Sequence, residues 1–597
     1  MRAAPHSSRA SPTTHRMASA RLRRGEALLT WLTHEGASHG VRLGPGPGGL
    51  AVFAATDVHA GEALFRCPIA RVMRAADTEA RAWDGDGEET MLRRRFCAAL
   101  DRVRVRGREL DQRTRVQLLL LHERRRPGGR WAPYVDALPG EELVGTLPIG
   151  WSDEDLERRL RGTALLEETR AARDGLHALA DALASVHEDE QKREDDHASE
   201  HTGDGVCRDG AGNEVNGDAR ADFGVFPSSS FGFEDLKWAY AVFWSRALVL
   251  ELPGSFRGSG GRLGRGTECL VPLLDLCNHR AGATAELRVR GGHFELLAGC
   301  SMKRGAEVLI NYGAKGNGEL LRCHGFVVPH NPADVCPLPL TQLIPPKGVT
   351  QSQLRERLAL AEQLQLPLRV FLFDVAGGGK ADTLLPDTLL PTARLLCAVT
   401  EEDERIARAA VDPDVKRDET SKAGEQETPG FDWSKVDWDA EDPFAGCGGD
   451  ESSQREGLSV EGERAMLDAL DAFIAGLVDA IPIAATAADV AAVEDRSGAA
   501  DDAVVQGSMS ADASEIERRL KDGLASSSHS GGFESAPGDG SANLAGLVYR
   551  RSQSKLLRGV QAVIQRLRDG GGRVCVNVAG VEATTGGVTR KRGREQT

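Results

Sequence analysis

Only four tyrosines occur in the 597 residues, and aromatic residues together make up 5%. No run of about 18 apolar residues exists, which excludes a membrane-spanning helix. The 11 cysteines are odd in number and contain no CxxC pair. Neither a disulfide framework nor a zinc ribbon is therefore indicated, and a reducing compartment fits. Excess positive charge is lacking as well. With 74 basic against 89 acidic residues the net charge is −15, which argues against coating nucleic acid, because such binding needs basic surface to displace counterions. Acidic residues are missing from the first 25 positions, where six arginines stand among Ser and Thr. That composition fits an organellar transit peptide, and equally a disordered start upstream of Met17; the apolar stretch of a secretory signal is absent.

Apolar residues reach 41%, enough for a sizeable core, while 68 glycines and 26 prolines leave room for loop-like inserts that bury too little apolar surface to offset their ordering entropy. From about Arg42 to Met73 short apolar runs alternate with glycine and charge, reading as strands over Gly48 to Ala54 and Ala63 to Phe65. Helical spacing follows from Glu89 to about Leu121 and from Asp153 to Leu183, the second capped by Ser152 and Asp153. A polar, acidic, glycine-rich stretch from 187 to 230 reads as an insert, and helix resumes at Phe233. Short strands are expected at Leu270–Leu276, Glu286–Arg290, His293–Ala298 and Glu307–Tyr312. Beyond Pro337 the pattern turns helical at Gln351–Leu366, Leu389–Ala410, Gly462–Ile481 and Asn543–Arg568, interrupted by low-complexity stretches over 412–462 and 486–541.

Single motifs carry little. The glycine-rich runs Gly44–Gly49 and Gly261–Gly266 lack the Lys-Ser/Thr of a phosphate-binding loop and a strand-to-helix setting. Cys277 stands near His279 in sequence, which does not make a thiol nucleophile. The order of three segments says more: Gly48-Gly49-Leu50-Ala51-Val52-Phe53-Ala54, then Leu273-Leu274-Asp275-Leu276-Cys277-Asn278-His279, then Ile310-Asn311-Tyr312-Gly313 with Glu319 to Phe326. In that order they resemble the SET-domain methyltransferases, and more narrowly the branch of the Rubisco large-subunit lysine methyltransferase and the actin-histidine methyltransferase. Trp131-Ala132-Pro133-Tyr134, Leu138-Pro139, Trp151, Trp238-Ala239, Ser245-Arg246-Ala247 and Tyr549-Arg550 with Gln553 are similar to further segments of that branch.

The resemblance implies an α+β fold, with a β-rich SET core (about 40–75 and 266–326) interrupted by a helical insert (about 76–265). A tail over 1–26, disordered or transit-like, precedes the catalytic region at 27–332, an all-helical substrate-binding lobe over 333–570 follows it, and residues 571–597 form a second tail. It implies S-adenosylmethionine as cofactor, a protein substrate, no membrane or nucleic-acid partner, no metal and a monomer. Residues carried over for the cofactor are Gly48, Gly49, Leu50, Arg246, Asn278, His279 and Tyr312. Tyr312 is the catalytic residue, and Asp275, Tyr312 and His324 line the substrate side.

Elementary chemistry agrees with these assignments. Glycine admits close backbone approach, and a guanidinium suits a carboxylate. Asn278 and His279 offer the donors and acceptor that an amino group and an adenine need. A tyrosine hydroxyl can align an amine for direct displacement at a sulfonium methyl. Two departures bear on the substrate: His324 stands where many relatives have tyrosine, and Leu250 where the Rubisco enzyme has a substrate-contacting arginine. No cysteine cluster follows Phe326, so a non-histone target is implied. Lysine is the expected acceptor; histidine is the enzymatic alternative, and a non-catalytic adaptor built on a worn SET core is the alternative from another class.

Overall fold

In a computed structural model the described residues are 12–46, 49–83, 87–126, 128–200, 231–250, 267–328, 331–373, 385–386, 388–411, 459–483 and 539–569. The chain divides into two compact units, residues 1–333 with 483–551 and residues 334–482 with 552–597. Gly48 lies outside the described residues, as do 201–230, 412–458 and 484–538.

The first unit opens with helix α1 (Pro12–His34), then strands β1 (Ser38–His39), β2 (Val41–Gly46), β3 (Gly49–Ala54), β4 (Ala63–Pro68) and β5 (Met73–Arg74). Helices α2 (Glu88–Leu100) and α3 (Gln112–Arg124) flank a small hairpin, β6 (Arg104–Val105) with β7 (Arg108–Glu109). Helices α4 (Ala132–Ala137), α5 (Glu142–Thr146), α6 (Asp153–Leu160), α7 (Ala164–Glu200) and α8 (Phe233–Arg246) complete the insert. Strands β8 (Leu248–Leu250), β9 (Thr267–Leu270), β10 (Asn278–His279), β11 (Glu286–Arg290), β12 (His293–Leu297) and β13 (Leu309–Ile310) return to the β core, and helix α9 (Asn317–His324) ends it. The sheets are small: β1-β4-β12-β11, β5-β9-β8 and the β2–β3 hairpin are antiparallel, and β10 pairs with β13 in parallel.

The second unit begins with β14 (Val335–Pro339), α10 (Gln351–Gln363) and β15 (Arg369–Phe373), followed by α11 (Leu389–Cys397), α12 (Glu401–Val411) and α13 (Val460–Ala480). Helix α14 (Asp539–Asp569) contributes its residues up to Arg551 to the first unit and the rest to the second. The expected α+β architecture is present, with helices dominating the C-terminal part.

Several expectations need correction. Residues 12–26 are helix rather than tail, because Gly25, Leu28 and Leu32 recur on one buried face of α1. A Cβ on Gly25 would come 2.9 Å from the Leu43 side chain, so this helix lies directly on the β2 strand. Helix α7 continues to Glu200, so the insert expected from 187 starts as helix. Residues 459–462 and 539–541, placed in low-complexity stretches, are also structured; Ser459 caps α13 by accepting the Gly462 N–H. Leu389–Ala410 splits into two helices at a Thr400 cap, where Thr400 and Asp403 bond reciprocally. The second unit is not all helical, since β14 and β15 form an antiparallel pair whose alternate residues, Cys336, Leu338, Val370 and Leu372, are buried. Leu274–Leu276 is a 3₁₀ turn instead of strand.

At the centre of the insert Arg93 and Glu123 form a fully buried ion pair, 2.8 Å apart, although the angle falls short of a hydrogen bond. The Arg93 guanidinium also lies over the rings of Trp83 (4.3 Å) and Trp131 (5.3 Å). A lone buried charge costs far more than a pair. Arg93→Ala is therefore expected to destabilise the first unit by about 3 kcal/mol or more, read as a lower thermal midpoint. Arg93→Met combined with Glu123→Gln should recover most of that loss, and an unchanged midpoint for Arg93→Ala would show the pair to be dispensable.

Candidate active site

The last turns of two helices and one parallel strand pair bring the chemistry together. Helix α8 buries Leu236, Trp238, Ala239, Val242 and Phe243, which fixes its rotation and leaves Arg246 in its final turn. The Arg246 guanidinium donates to the main-chain oxygen of Asp275 at 2.6 Å and stands 4.0 Å from the Asp275 carboxylate, while its Nε is buried with no partner. Helix α9 ends at His324 because Gly325 adopts φ +75°, and a Cβ there would meet the Thr146 oxygen at 2.8 Å. In the parallel pair, Asn278 lies opposite Leu309 and His279 opposite Ile310. Two residues further, the Tyr312 N–H donates to His279 Nδ1 at 3.1 Å and the Tyr312 hydroxyl donates to the Cys277 oxygen at 2.9 Å.

His279, Tyr312, His324 and Phe326 form one aromatic cluster: Tyr312 lies 5.0 Å from His279 and 4.7 Å from His324, and Phe326 lies 6.1 and 6.0 Å from the two histidines. Asn278 reaches towards β3, since its amide donates to Glu307 at 2.8 Å and Glu307 bridges to Phe53. Gly46, paired with Gly49, sits beside it; a Cβ on Gly46 would come 2.5 Å from Ala51 Cβ and 3.5 Å from Asn278 Nδ2. Gly49 and Leu50 thus begin the strand that approaches Asn278, Arg246 meets the 275–277 turn, and Tyr312 ties that turn to His279 and His324.

Asp275 behaves differently from the expectation of a carboxylate lining the substrate side. Its side chain is sealed from solvent, and Oδ2 accepts a 2.6 Å bond from the hydroxyl of Tyr134, itself completely buried on α4. Oδ1 has no partner. Burial raises this carboxyl to about 6, with Arg246 and the Tyr134 hydroxyl pulling the other way. Tyr134 and Glu307 are the site residues that sequence reasoning left out. Tyr134 stands in the Trp131–Tyr134 segment already noted for its resemblance, which gave it no role, and Glu307 opens the strand expected at Glu307–Tyr312.

Electrostatically the site favours neutral groups. Burial pushes the Tyr312 hydroxyl and the Cys277 thiol far up, which leaves Cys277 inert as a nucleophile. Burial lowers His279 and drives His324 down to about 3, with the positive charge of Lys315 acting in the same direction on both. His324 is half-buried and hydrogen-bonded to the Ser245 backbone, but its Nε2 is closed off and unpartnered. Among the described residues no group of three or more His, Cys, Asp or Glu is arranged to hold a metal, and no helix is long and apolar enough to cross a membrane.

No family model matches the chain. Among curated proteins it is 25% identical over 388 residues to the chloroplast Rubisco large-subunit N-methyltransferase of Nicotiana tabacum, covering 62% of this chain and 63% of that protein. It is 25% identical over 221 residues to the actin-histidine N-methyltransferase of Danio rerio, covering 37% of this chain and 30% of that protein. The chain thus spans less than two thirds of the length of either relative. Among solved structures, the SET domain of LSMT bound to lysine and AdoHcy superposes with a TM-score of 0.53 at 18% identity, covering 91% of each chain. The fold and the order of its segments are those of the SET-domain proteins. In sequence the chain is similar to the Rubisco large-subunit and actin-histidine N-methyltransferases.

Two histidines of the first unit, His122 and His324, are each held at about 3 by burial. Their folded values lie below the ordinary 6.5, so the stability they permit is complete above that value and is lost as pH falls from about 6.5 towards 3, where only the unfolded chain takes up the protons. Asp275 runs opposite: its raised value favours the fold at low pH, and that contribution is lost as pH rises from 3.8 through about 6. Ring resonances of His122 and His324 should therefore stay those of neutral imidazole down to about pH 4; a transition near 6.5 for either ring contradicts this.

Proposed function

We propose that this chain is a protein N-methyltransferase that uses S-adenosylmethionine and acts on a lysine side chain of a non-histone protein. The observation that carries the reading is the convergence of Arg246 and Tyr312, from two other segments of the chain, on the turn that leads directly into Asn278 and His279. The names of the relatives support the same reaction class, as do the AdoHcy and lysine in the structurally similar SET domain.

The residues present fit such a cofactor. Arg246 carries a buried Nε without a partner, the signature of a guanidinium that lacks its anion, and a carboxylate would satisfy it. The glycine-rich end of the β2–β3 hairpin offers backbone donors near Asn278. When bound, S-adenosylmethionine supplies a sulfonium methyl open to in-line displacement by a neutral nitrogen. The chain's own contribution is alignment and desolvation. Tyr312 is held by its bond to the Cys277 oxygen, which fixes where its hydroxyl oxygen can accept from an incoming amine. The amine must arrive neutral. Burial and the positive charges of Arg246 and Lys315 that keep His324 unprotonated favour the deprotonated amine for the same reason.

A histidine acceptor is the second reading, favoured by one observation: the tyrosine of many lysine-modifying relatives is His324 here, a neutral ring with an unpartnered Nε2 beside Tyr312. Labelling a lysate with the protein and a heavy-methyl donor, followed by mass spectrometry, separates the readings. A heavy methyl on lysine is expected. A methyl on histidine alone transfers the proposal to that acceptor, and absence of both labelling and donor binding leaves the adaptor reading.

Three substitutions test the roles. Arg246→Ala should weaken S-adenosylmethionine binding by about 2 kcal/mol or more, measured by calorimetry; equal affinity rejects the carboxylate role. Tyr312→Phe should keep donor affinity and lower turnover at least about tenfold, and unchanged turnover on the labelled substrate removes Tyr312 from catalysis. His324→Tyr should leave donor binding intact and change the acceptor or the number of methyl groups added. The same products from both proteins reduce His324 to a packing residue.

A further inference from the structure

The turn from Val271 to Cys277 contains a residue whose backbone is strained. Leu273 is completely buried and adopts φ +74° with ψ −42°, a conformation that is strained for a residue other than glycine. The bonds inside the turn are long: Asp275 N–H to Val271 O at 3.2 Å, Leu276 N–H to Leu273 O at 3.3 Å and Cys277 N–H to Leu274 O at 3.1 Å. Shorter bonds arrive from outside. Arg246 takes the Asp275 oxygen at 2.6 Å, Tyr312 takes the Cys277 oxygen at 2.9 Å, and Tyr134 takes the Asp275 carboxylate at 2.6 Å.

Two of these three partners belong to the proposed transfer site; Tyr134 does not. It lies 141 residues before Asp275 on a short helix packed into the main core. Packing alone does not require its hydroxyl, because a buried hydroxyl is costly unless bonded. Asp275, for its part, gains no full ion pair: the guanidinium is 4.0 Å away and Oδ1 is bare. A buried carboxylate held mainly by one hydroxyl is a poor source of stability. It is an effective anchor for the main chain on which it sits.

We infer that Tyr134 is a positioning residue for the donor site: its hydroxyl fixes the Asp275 side chain, which holds the strained turn so that the Asp275 and Cys277 carbonyls orient Arg246 and Tyr312. The role rests on the methyl-donor reading above and deepens it. Tyr134 touches neither donor nor acceptor and acts through the turn.

The test compares two probes by calorimetry, S-adenosylmethionine and 5′-methylthioadenosine, which lacks the amino-acid tail and hence the carboxylate. Proteins are the full-length wild type, Tyr134→Phe, Arg246→Ala and the double variant. Tyr134→Phe is expected to weaken S-adenosylmethionine about tenfold while leaving methylthioadenosine within about twofold. In the Arg246→Ala background it should add little, because both changes remove the same oriented guanidinium. Where Tyr134→Phe alone does not fold, Tyr134→Phe with Asp275→Asn, which leaves no buried charge, carries the same expectation. Equal weakening of both probes, no weakening, or additive loss in the double variant overturns the positioning role while the methyl-donor reading stands. Failure of the wild type to bind S-adenosylmethionine overturns both.

Discussion

A buried carboxylate organises the site. Asp275 sits where helix α4, helix α8 and the segment leading to strand β10 meet, and its two functions are divided between side chain and main chain. The side chain is anchored by Tyr134; the main-chain oxygen is the seat of Arg246. With Cys277 two residues on accepting from Tyr312, one turn sets the positions of both a cation and a phenol. Loss of that turn would leave Arg246 with an orphaned guanidinium and Tyr312 without its tether, although the secondary structure around them need not change.

The same burial that makes the turn costly sets the chemistry it can support. A site that keeps histidines neutral, raises the tyrosine hydroxyl and places the positive charges of Arg246 and Lys315 nearby disfavours a protonated nitrogen. Transfer of a methyl group to nitrogen asks for that environment, since only the lone pair reacts. A thiol mechanism asks for the reverse, and the raised Cys277 does not meet it.

Much of this was legible in the sequence, for local reasons. Strand Glu286–Arg290 alternates and falls where expected, and Ser152 caps α6 by accepting the Asp155 N–H. Asn278, His279, Tyr312 and His324 were singled out from the three ordered motifs and Arg246 from a further resembling segment, and the structure brings them close together. The partner of Tyr134 and the conformation of Leu273 were not legible: the Tyr134–Asp275 bond spans 141 residues, and a leucine gives no sign of positive φ, which glycine would have given. Helix α1 was obscured by its arginines, because only the spacing of Gly25, Leu28 and Leu32 shows the buried face. The β14–β15 pair was obscured by the prolines of Val335–Pro339. Thr400 and Asp403 did offer a capping signal that would have divided Leu389–Ala410 correctly.

The most direct measurement of the central constraint is a crystal structure of the full chain with S-adenosylhomocysteine. The account predicts Leu273 at positive φ, the Tyr134–Asp275 bond intact, and the ligand carboxylate bonded to Arg246 while Tyr312 remains on the Cys277 oxygen. Leu273 in ordinary helical or extended backbone, or a ligand carboxylate held elsewhere with Arg246 turned away, would contradict it.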